Sequence, residues 1–235
     1  MLERSRIAQI VAWLVAAMLV PSAARAAAAP LVDLNGDGKV VVLCFGDSIT
    51  AGSMRGSYPG GLRQRFGKDV TIINQGRFGE TTRGGVARLR QVLPEAHADY
   101  VIILEGVNDH NDSADTTYAH LEEMVADVGR ARAAPLVGTL FPSPQKAGEE
   151  RSRAIEALNA RILRMHDVTP LDFAARFRDH WDVLLGPGGV HPTSKGYEVI
   201  EEVAAEGLMH ASRAQHAATR ASPDRHGAQD AGTRH

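Results

Sequence analysis

The sequence has a single cysteine, Cys44, among its 235 residues. One thiol excludes a disulfide scaffold and a zinc site built from cysteines. Neither sign of charge dominates, because 26 Lys and Arg oppose 28 Asp and Glu, which gives a formal net charge of −2. This balance offers no electrostatic reason to expect a nucleic-acid partner, and we predict none. Aromatic residues are scarce at 5%, but hydrophobic residues reach 44%, which is typical of a globular protein with one sizeable core.

The first 26 residues have the features of a secretory signal peptide. Arg4 and Arg6 form a positively charged start, residues 7–20 are an apolar run, and Ala-Arg-Ala at residues 24–26 supplies the small residues that a signal peptidase reads. The apolar run is shorter than the roughly 20 residues that cross a bilayer, which favours cleavage after Ala26 over an uncleaved membrane anchor. We therefore predict a periplasmic or secreted protein with no stable membrane span after cleavage.

The other end of the chain is also predicted to lie outside the core. Residues 211–235 contain no Leu, Ile, Val, Phe, Tyr or Trp. Such a segment buries too little apolar surface to offset the entropy of ordering it. We therefore predict a disordered tail over residues 211–235 and one folded domain over residues 27–210.

Short apolar runs alternate with helical patterns between these ends. The run at residues 40–45 is continuous, as in a parallel strand that is buried on both faces. Similar runs follow at residues 70–73, 100–104 and 136–141. Apolar residues at helical spacing lie around residues 86–93, 121–128 and 155–165, and a last helix is predicted over about residues 193–208. This alternation predicts a three-layer α/β/α sandwich with a mostly parallel central sheet.

Polar blocks follow each of the first three predicted strands, and a fourth precedes the last helix. They are Gly46-Asp47-Ser48, residues 74–82, Gly106-Val107-Asn108-Asp109 and Val190-His191-Pro192. Each block taken singly is compatible with turn or capping chemistry. Ligands of parallel sheets bind beyond the carboxyl ends of the strands, so all four blocks can meet at one edge. A serine becomes a nucleophile when an imidazole takes its proton, and N–H donors then stabilise the oxyanion of the tetrahedral intermediate.

The four blocks, in this order, resemble the GDSL or SGNH hydrolase superfamily over about residues 40–208. The resemblance implies a flavodoxin-like SGNH hydrolase fold and an ester hydrolase that works through an acyl-enzyme. It implies that Ser48 is the nucleophile and His191 the general base. It also implies an oxyanion hole formed by Ser48, the backbone N–H of Gly79 and the side-chain amide of Asn108. Asp47 and Asp109 are expected to brace their loops through hydrogen bonds to the backbone.

The last block departs from the D-x-x-H pattern of the family, because Gly188 stands where the aspartate is expected. That aspartate orients the histidine, and its loss from serine proteases costs about 10⁴ in turnover. Three alternatives remain open at this point. A backbone carbonyl of the glycine-rich loop at residues 186–189 orients His191, Asp182 folds back to do so, or the enzyme is much impaired.

The sequence thus predicts an exported serine ester hydrolase that cleaves carboxylic esters or thioesters. Features at residues 58–62 and 85–89 resemble the lysophospholipase/thioesterase branch of esterases and lipases. The alternatives are a polysaccharide O-acetyl esterase and a catalytically impaired module that binds carbohydrate or lipid. The predicted partner is a small-molecule ester: an acyl ester, a lysophospholipid or an acetylated glycan. We expect no cofactor and no metal.

Overall fold

A computed structural model describes residues 31–221 of the chain. The predicted signal peptide at residues 1–26 and the part of the predicted tail after residue 221 lie outside the described residues. No helix within residues 31–221 is both long enough and apolar enough to cross a membrane.

Five parallel strands form the central sheet of the described chain. They are β1 (Val41–Gly46), β2 (Thr71–Gly76), β3 (Tyr100–Leu104), β4 (Ala134–Gly138) and β5 (Thr169–Leu171). Their order across the sheet is β2-β1-β3-β4-β5, and every neighbouring pair is parallel. All residues of β1 and β3 are buried, as expected for strands that are covered on both faces. The strand order reverses between β1 and β3, and such a switch point is where open parallel sheets bind ligands.

Helices cover both faces of this sheet. Within residues 31–221 they are α1 (Ser48–Ala51), α2 (Tyr58–Phe66), α3 (Thr82–Ala96), α4 (Ala114–Arg130), α5 (Pro144–Ala147), α6 (Glu149–Ile162), α7 (Phe173–Phe177), α8 (Trp181–Leu184) and α9 (Ser194–Ala221). α4 packs between α3 and α6, whereas α2 packs against α9. The two groups form the outer layers, and the predicted three-layer α/β/α sandwich with a parallel sheet is confirmed.

The last helix is longer than the sequence predicted. α9 continues to Ala221, well past the expected end near Leu208, so residues 211–221 are helical where disorder was expected. Ser212 is buried, and its Oγ accepts a hydrogen bond from the backbone N–H of Val32 at 2.9 Å. Alanine is the strongest helix former, so the alanine-rich segment extends the helix once this contact holds it to the domain.

Candidate active site

Ser48 and His191 meet at the carboxyl edge of the sheet. Ser48 is the first residue of α1, directly after β1, and its Oγ lies 2.9 Å from Nε2 of His191. The serine is buried, whereas the histidine is exposed. A separation of 2.9 Å is a hydrogen bond between a hydroxyl and an imidazole, and it allows the proton of the serine to pass to the ring.

A short hairpin-like loop carries His191. Leu185 and Pro192 pair as an antiparallel bridge, and the N–H of Gly186 donates to the carbonyl of His191 at 2.8 Å. The N–H of Gly189 donates to the carbonyl of Gly186 at 2.8 Å, which closes the tip of the loop. These backbone hydrogen bonds hold the main chain of His191 in place while its ring faces Ser48.

Gly79 occupies a tight turn at the end of β2. The N–H of Glu80 donates to the carbonyl of Arg77 at 3.3 Å, and Gly79 has a φ of 71°, the left-handed value that the third residue of a type II turn requires. Within residues 31–221 no hydrogen bond uses the N–H of Gly79 or that of Ser48. Both amides are therefore available to a bound ligand.

Asn108 and Asp109 tie the loop after β3 to the loop after β2. Nδ2 of Asn108 donates to the carbonyl of Glu80 at 2.8 Å, which places the amide beside the turn of Gly79 and leaves its second N–H to donate elsewhere. The Asp109 carboxylate accepts a hydrogen bond from the N–H of Thr82 at 2.9 Å, and the Asp47 carboxylate accepts one from the N–H of Ile49 at 2.8 Å. The predicted bracing of the backbone by the two aspartates is confirmed.

The structure does not bring Asp182 to the imidazole. Asp182 is exposed on α8, where it lines a cleft of about 850 Å³ together with Arg55 and Lys146. Among the described residues, Ser48 is the one hydrogen-bond partner of the His191 ring, so neither Asp182 nor a loop carbonyl accepts from it. Gly188, in the slot of the expected aspartate, is exposed.

A buried cluster that the sequence analysis did not assign lies behind these loops. Arg88 on α3 makes a bidentate ion pair with Glu80, and both side chains are largely buried. The guanidinium also stacks on the ring of Phe45, 3.9 Å from its centroid. Glu105, directly after β3, is buried with both carboxylate oxygens unpaired within the described part of the chain. A glutamate placed directly after a continuous apolar strand was the available sequence signal.

Burial changes the ionisation of two carboxyl groups in this region. Desolvation, with smaller contributions from the charges of Asp109 and Glu80, raises the pKa of Asp47 to about 7, although the hydrogen bond from Ile49 opposes the rise. Desolvation, followed by the charges of Asp47 and Glu80, raises the pKa of Glu105 well above its usual range. Burial therefore favours the neutral form of Glu105.

One group of side chains has the composition of a metal site. Ligand atoms of Asp109, Asp112 and His120 lie within 4.8 Å of one another. However, Oδ2 of Asp109 already accepts hydrogen bonds from the hydroxyls of Thr82 and Thr117, and Nδ1 of His120 lies 2.8 Å from the hydroxyl of Thr82. These atoms form a hydrogen-bond network in which a cation would displace existing partners.

Known proteins are similar to this chain over most of the described domain. Residues 44–199 match the model of the GDSL-like lipase/acylhydrolase family. Thioesterase 1/protease 1/lysophospholipase L1 of Escherichia coli (strain K12) is 26% identical over 178 residues, which cover 72% of this chain and 83% of the relative. The arylesterase of Vibrio mimicus is 28% identical over 181 residues, which cover 72% of this chain and 88% of the relative.

A solved structure shares the fold. The crystal structure of the lipase/acylhydrolase from Enterococcus faecalis has a TM-score of 0.63 at 22% identity and covers 73% of this chain and 96% of its own. The family match spans the three strand-end blocks and extends past His191 to the last helix. The chain belongs to the GDSL-like lipase/acylhydrolase family, and the prediction of an ester hydrolase of this family is confirmed.

Proposed function

We propose that the protein hydrolyses esters through an acyl-enzyme on Ser48, with His191 as the general base. The observation that carries the proposal is the 2.9 Å separation between Ser48 Oγ and His191 Nε2. Nε2 takes the hydroxyl proton as Oγ attacks the acyl carbon, and then gives that proton to the leaving alcohol or thiol. A water molecule, activated by the same imidazole, releases the acid and restores the serine.

Three N–H donors form the proposed oxyanion hole. The amides of Ser48 and Gly79 have no acceptor within the described residues, and the side-chain amide of Asn108 has one N–H to spare. Each such donor is worth roughly 2.7–4 kcal/mol of transition-state stabilisation in serine hydrolases. Gly79 lacks a side chain, so a substrate can approach its backbone closely.

We propose that Ser48 and His191 act as a dyad. No carboxylate accepts a hydrogen bond from His191 within residues 31–221, and backbone hydrogen bonds of its loop hold the residue. Without an anionic partner the imidazolium that forms during attack is less stabilised, so turnover depends more heavily on the oxyanion donors. An orienting role of Asp182 is the alternative, although no hydrogen bond joins it to His191 within the described residues.

Covalent labelling tests the nucleophile directly. Purified protein is treated with a fluorophosphonate, and its turnover of p-nitrophenyl acetate is measured in parallel. We expect a mass adduct on Ser48 and measurable turnover, and we expect Ser48→Ala and His191→Ala to lose both. Ser152→Ala, on α6, is the matched control and should retain both.

The same experiment separates the enzyme from a binding module. A wild-type protein that takes no adduct and hydrolyses no ester would contradict the proposed function and favour a module that binds carbohydrate or lipid. An adduct that survives in Ser48→Ala would mean that another residue is the nucleophile.

We propose a broad range of acyl chains, closer to the lysophospholipase/thioesterase type than to a deacetylase. A cleft of about 740 Å³ adjoins the Asn108 loop, and Leu140, Ile155 and Leu158 contribute an apolar lining. Small-molecule sites typically have volumes of about 300–1,000 Å³, so this cleft is large enough to receive an acyl chain.

A chain-length series of p-nitrophenyl esters tests this proposal. We expect a maximum beyond acetate, and we expect Ala154→Trp, which fills the cleft, to lower turnover of octanoate while leaving acetate unchanged. Ala157→Trp, on the exposed part of α6, is the control. Activity confined to acetate would favour the polysaccharide O-acetyl esterase instead.

We also propose that the protein is exported and processed after Ala26. The support is the composition of residues 1–26, since a charged start, an apolar run and small residues define a signal peptide. Expression of the full chain in a Gram-negative host, followed by fractionation and intact-mass measurement, should give a periplasmic or secreted chain that begins at Ala27. A cytoplasmic or full-length membrane-bound chain would contradict this.

A further inference from the structure

Arg88 contacts the segments that carry the proposed oxyanion donors. Its Nη2 donates to the carbonyl of Gly46, two residues before Ser48, at 3.4 Å. Its Nε donates to the Glu80 carboxylate at 2.8 Å, and Glu80 directly follows Gly79. The chain of contacts continues to the third donor, because the backbone carbonyl of Glu80 accepts the hydrogen bond from Asn108.

The guanidinium of Arg88 lies among several buried acidic side chains. The guanidinium is only 12% exposed and faces the carboxyl groups of Glu80 and Glu105, with Asp47 nearby. Arg77 also lies 3.8 Å from the Glu80 carboxylate, but its side chain is exposed, so Arg88 is the buried cation of this pair. A buried pair of this kind is weak evidence for stability, because desolvation offsets much of the attraction. Its value lies in fixing geometry, since the planar fork holds several acceptors at set positions.

We propose that Arg88 and Glu80 are positioning residues that hold the amides of Ser48, Gly79 and Asn108 around the developing oxyanion. The inference rests on the proposed function of these three donors. Neither side chain touches the substrate. Arg88 holds the end of β1 and the side chain of Glu80 in place, and the main chain of Glu80 holds Asn108. Without the ion pair, the three N–H donors are no longer held in their positions. Misplacement by about 1 Å costs roughly 100-fold in rate.

A double variant separates positioning from stability. Arg88→Met alone leaves the buried Glu80 with only the exposed Arg77 at 3.8 Å, and it should lower the melting temperature as well as kcat. Arg88→Met combined with Glu80→Gln removes both charges, so the melting temperature should recover towards wild type. We expect kcat for p-nitrophenyl acetate to remain about 100-fold low in the double variant, with KM little changed. A role in the core alone would let kcat recover together with stability.

The matched control is a similar ion pair elsewhere in the fold. Arg65 on α2 makes a bidentate pair with the buried Glu201 of α9, and its side chain is 17% exposed. Arg65→Met with Glu201→Gln should leave kcat unchanged, whatever it does to stability. Arg88→Lys adds a variant that keeps the charge and loses the fork, and it should recover part of the lost kcat.

The outcomes distinguish this inference from the proposed function. Wild-type protein that neither takes the fluorophosphonate nor turns over ester contradicts the function itself. Active wild-type protein whose double variant keeps kcat within about threefold of wild type contradicts the positioning role alone. If the double variant does not fold, Arg88→Lys decides the question: a wild-type kcat in a protein of wild-type melting temperature overturns the proposal.

Discussion

Gly188 lies exposed in the loop that presents His191. A Cβ added at this position would have no heavy atom within 4 Å, and Gly188 is not in the left-handed region that strains side chains. The neighbouring Gly189 is different, because its φ is 69° and an added Cβ would lie 2.4 Å from Cγ of Lys146. The loop can therefore accept a side chain in the slot where the family has its aspartate.

We predict that Gly188→Asp keeps or raises kcat/KM, because a carboxylate there can accept the imidazole N–H and stabilise the imidazolium. Asp182→Ala should leave most activity, whereas His191→Ala should remove nearly all of it. Measuring kcat/KM of the three variants on one ester checks this prediction. A loss in Asp182→Ala as large as that in His191→Ala would make Asp182 the orienting acid and exclude the dyad.

The buried carboxyl group of Asp47 gives a second prediction at this scale. Desolvation raises its pKa from 3.8 to about 7 in the folded protein, so between these pH values the folded chain binds more protons than the unfolded chain. The contribution of Asp47 to the free energy of unfolding is therefore fully present below about pH 4 and is lost as the pH rises through about 7. The free energy of unfolding falls by at most about 1.4 kcal/mol per pH unit over this range. Asp47→Asn keeps the acceptor for Ile49 but cannot ionise.

Urea unfolding between pH 4.5 and 7.5 measures this contribution. The stability of Asp47→Asn relative to wild type should increase as the pH rises, because only the wild-type protein loses the stabilisation. A difference in the free energy of unfolding that stays constant across this pH range would contradict the raised pKa.

At the scale of elements, strands with an apolar run in the sequence were predictable, and the short edge strand β5 was not. β1 and β3 are buried along their whole length, so burial on both faces leaves a continuous apolar run in the sequence. β5 has only three residues, of which only Leu171 is buried, and Pro170 suits a sheet edge because it offers no N–H to a neighbour. Nothing in its composition distinguishes it from a loop.

The residues of the candidate site likewise include some that the sequence predicted and some that it did not. Motif order predicted the positions of Ser48 and His191, since each falls at the end or start of an element that periodicity indicates. The pairing of Arg88 with Glu80 and its contact with Gly46 depend on how α3 lies across the sheet, and no period in the sequence records that placement. The distance between Asp182 and the imidazole likewise depends on the path of the loop.

Two glycines of α9 pack closely against other parts of the fold. Substitutions at these glycines can test how the helix supports the candidate active site. A Cβ at Gly196 would lie 2.2 Å from the backbone carbonyl of Leu184, whereas at Gly207 it would lie 2.1 Å from the end of the Leu171 side chain. The Leu184 carbonyl accepts the N–H of Thr193 at 2.9 Å and so closes the base of the loop that carries His191. Alanine would gain helix propensity at either site, but a backbone clash outweighs the roughly 0.5–1 kcal/mol involved.

We therefore predict that Gly196→Ala lowers both the free energy of unfolding and kcat/KM, because the His191 loop must shift. Gly207→Ala, the matched control, should lower stability and leave kcat/KM near wild type, because only a side chain moves. Denaturant unfolding and kinetics on one ester measure both effects. Equal losses of kcat/KM in the two variants would contradict the link between α9 and the loop.

At the scale of the whole molecule, the two ends of the described chain meet on the same side of the domain. The backbone N–H of Val32 donates to Ser212, and the carbonyl of Val32 accepts from the hydroxyl of Tyr100 at 2.9 Å. Asp99 accepts a hydrogen bond from the N–H of Leu34 at 2.7 Å. The first described residues are thus held between the C-terminal part of α9 and the start of β3. The C-terminal turns of α9 therefore pack against the folded domain.

We predict that a chain ending at His210 is less stable than a chain ending at Ala218, by about 1–2 kcal/mol. The shorter chain lacks the Ser212–Val32 hydrogen bond and the buried methyl of Ala211, and a hydrogen bond and a buried methyl each contribute on the order of 1 kcal/mol. Both chains keep every residue of the candidate active site, so kcat/KM at low temperature should be equal. Urea unfolding of the two chains measures the difference, and the variant Ser212→Ala in the longer chain should show the hydrogen-bond part of it. Equal free energies of unfolding would mean that the domain is complete at residue 210, as the sequence first suggested.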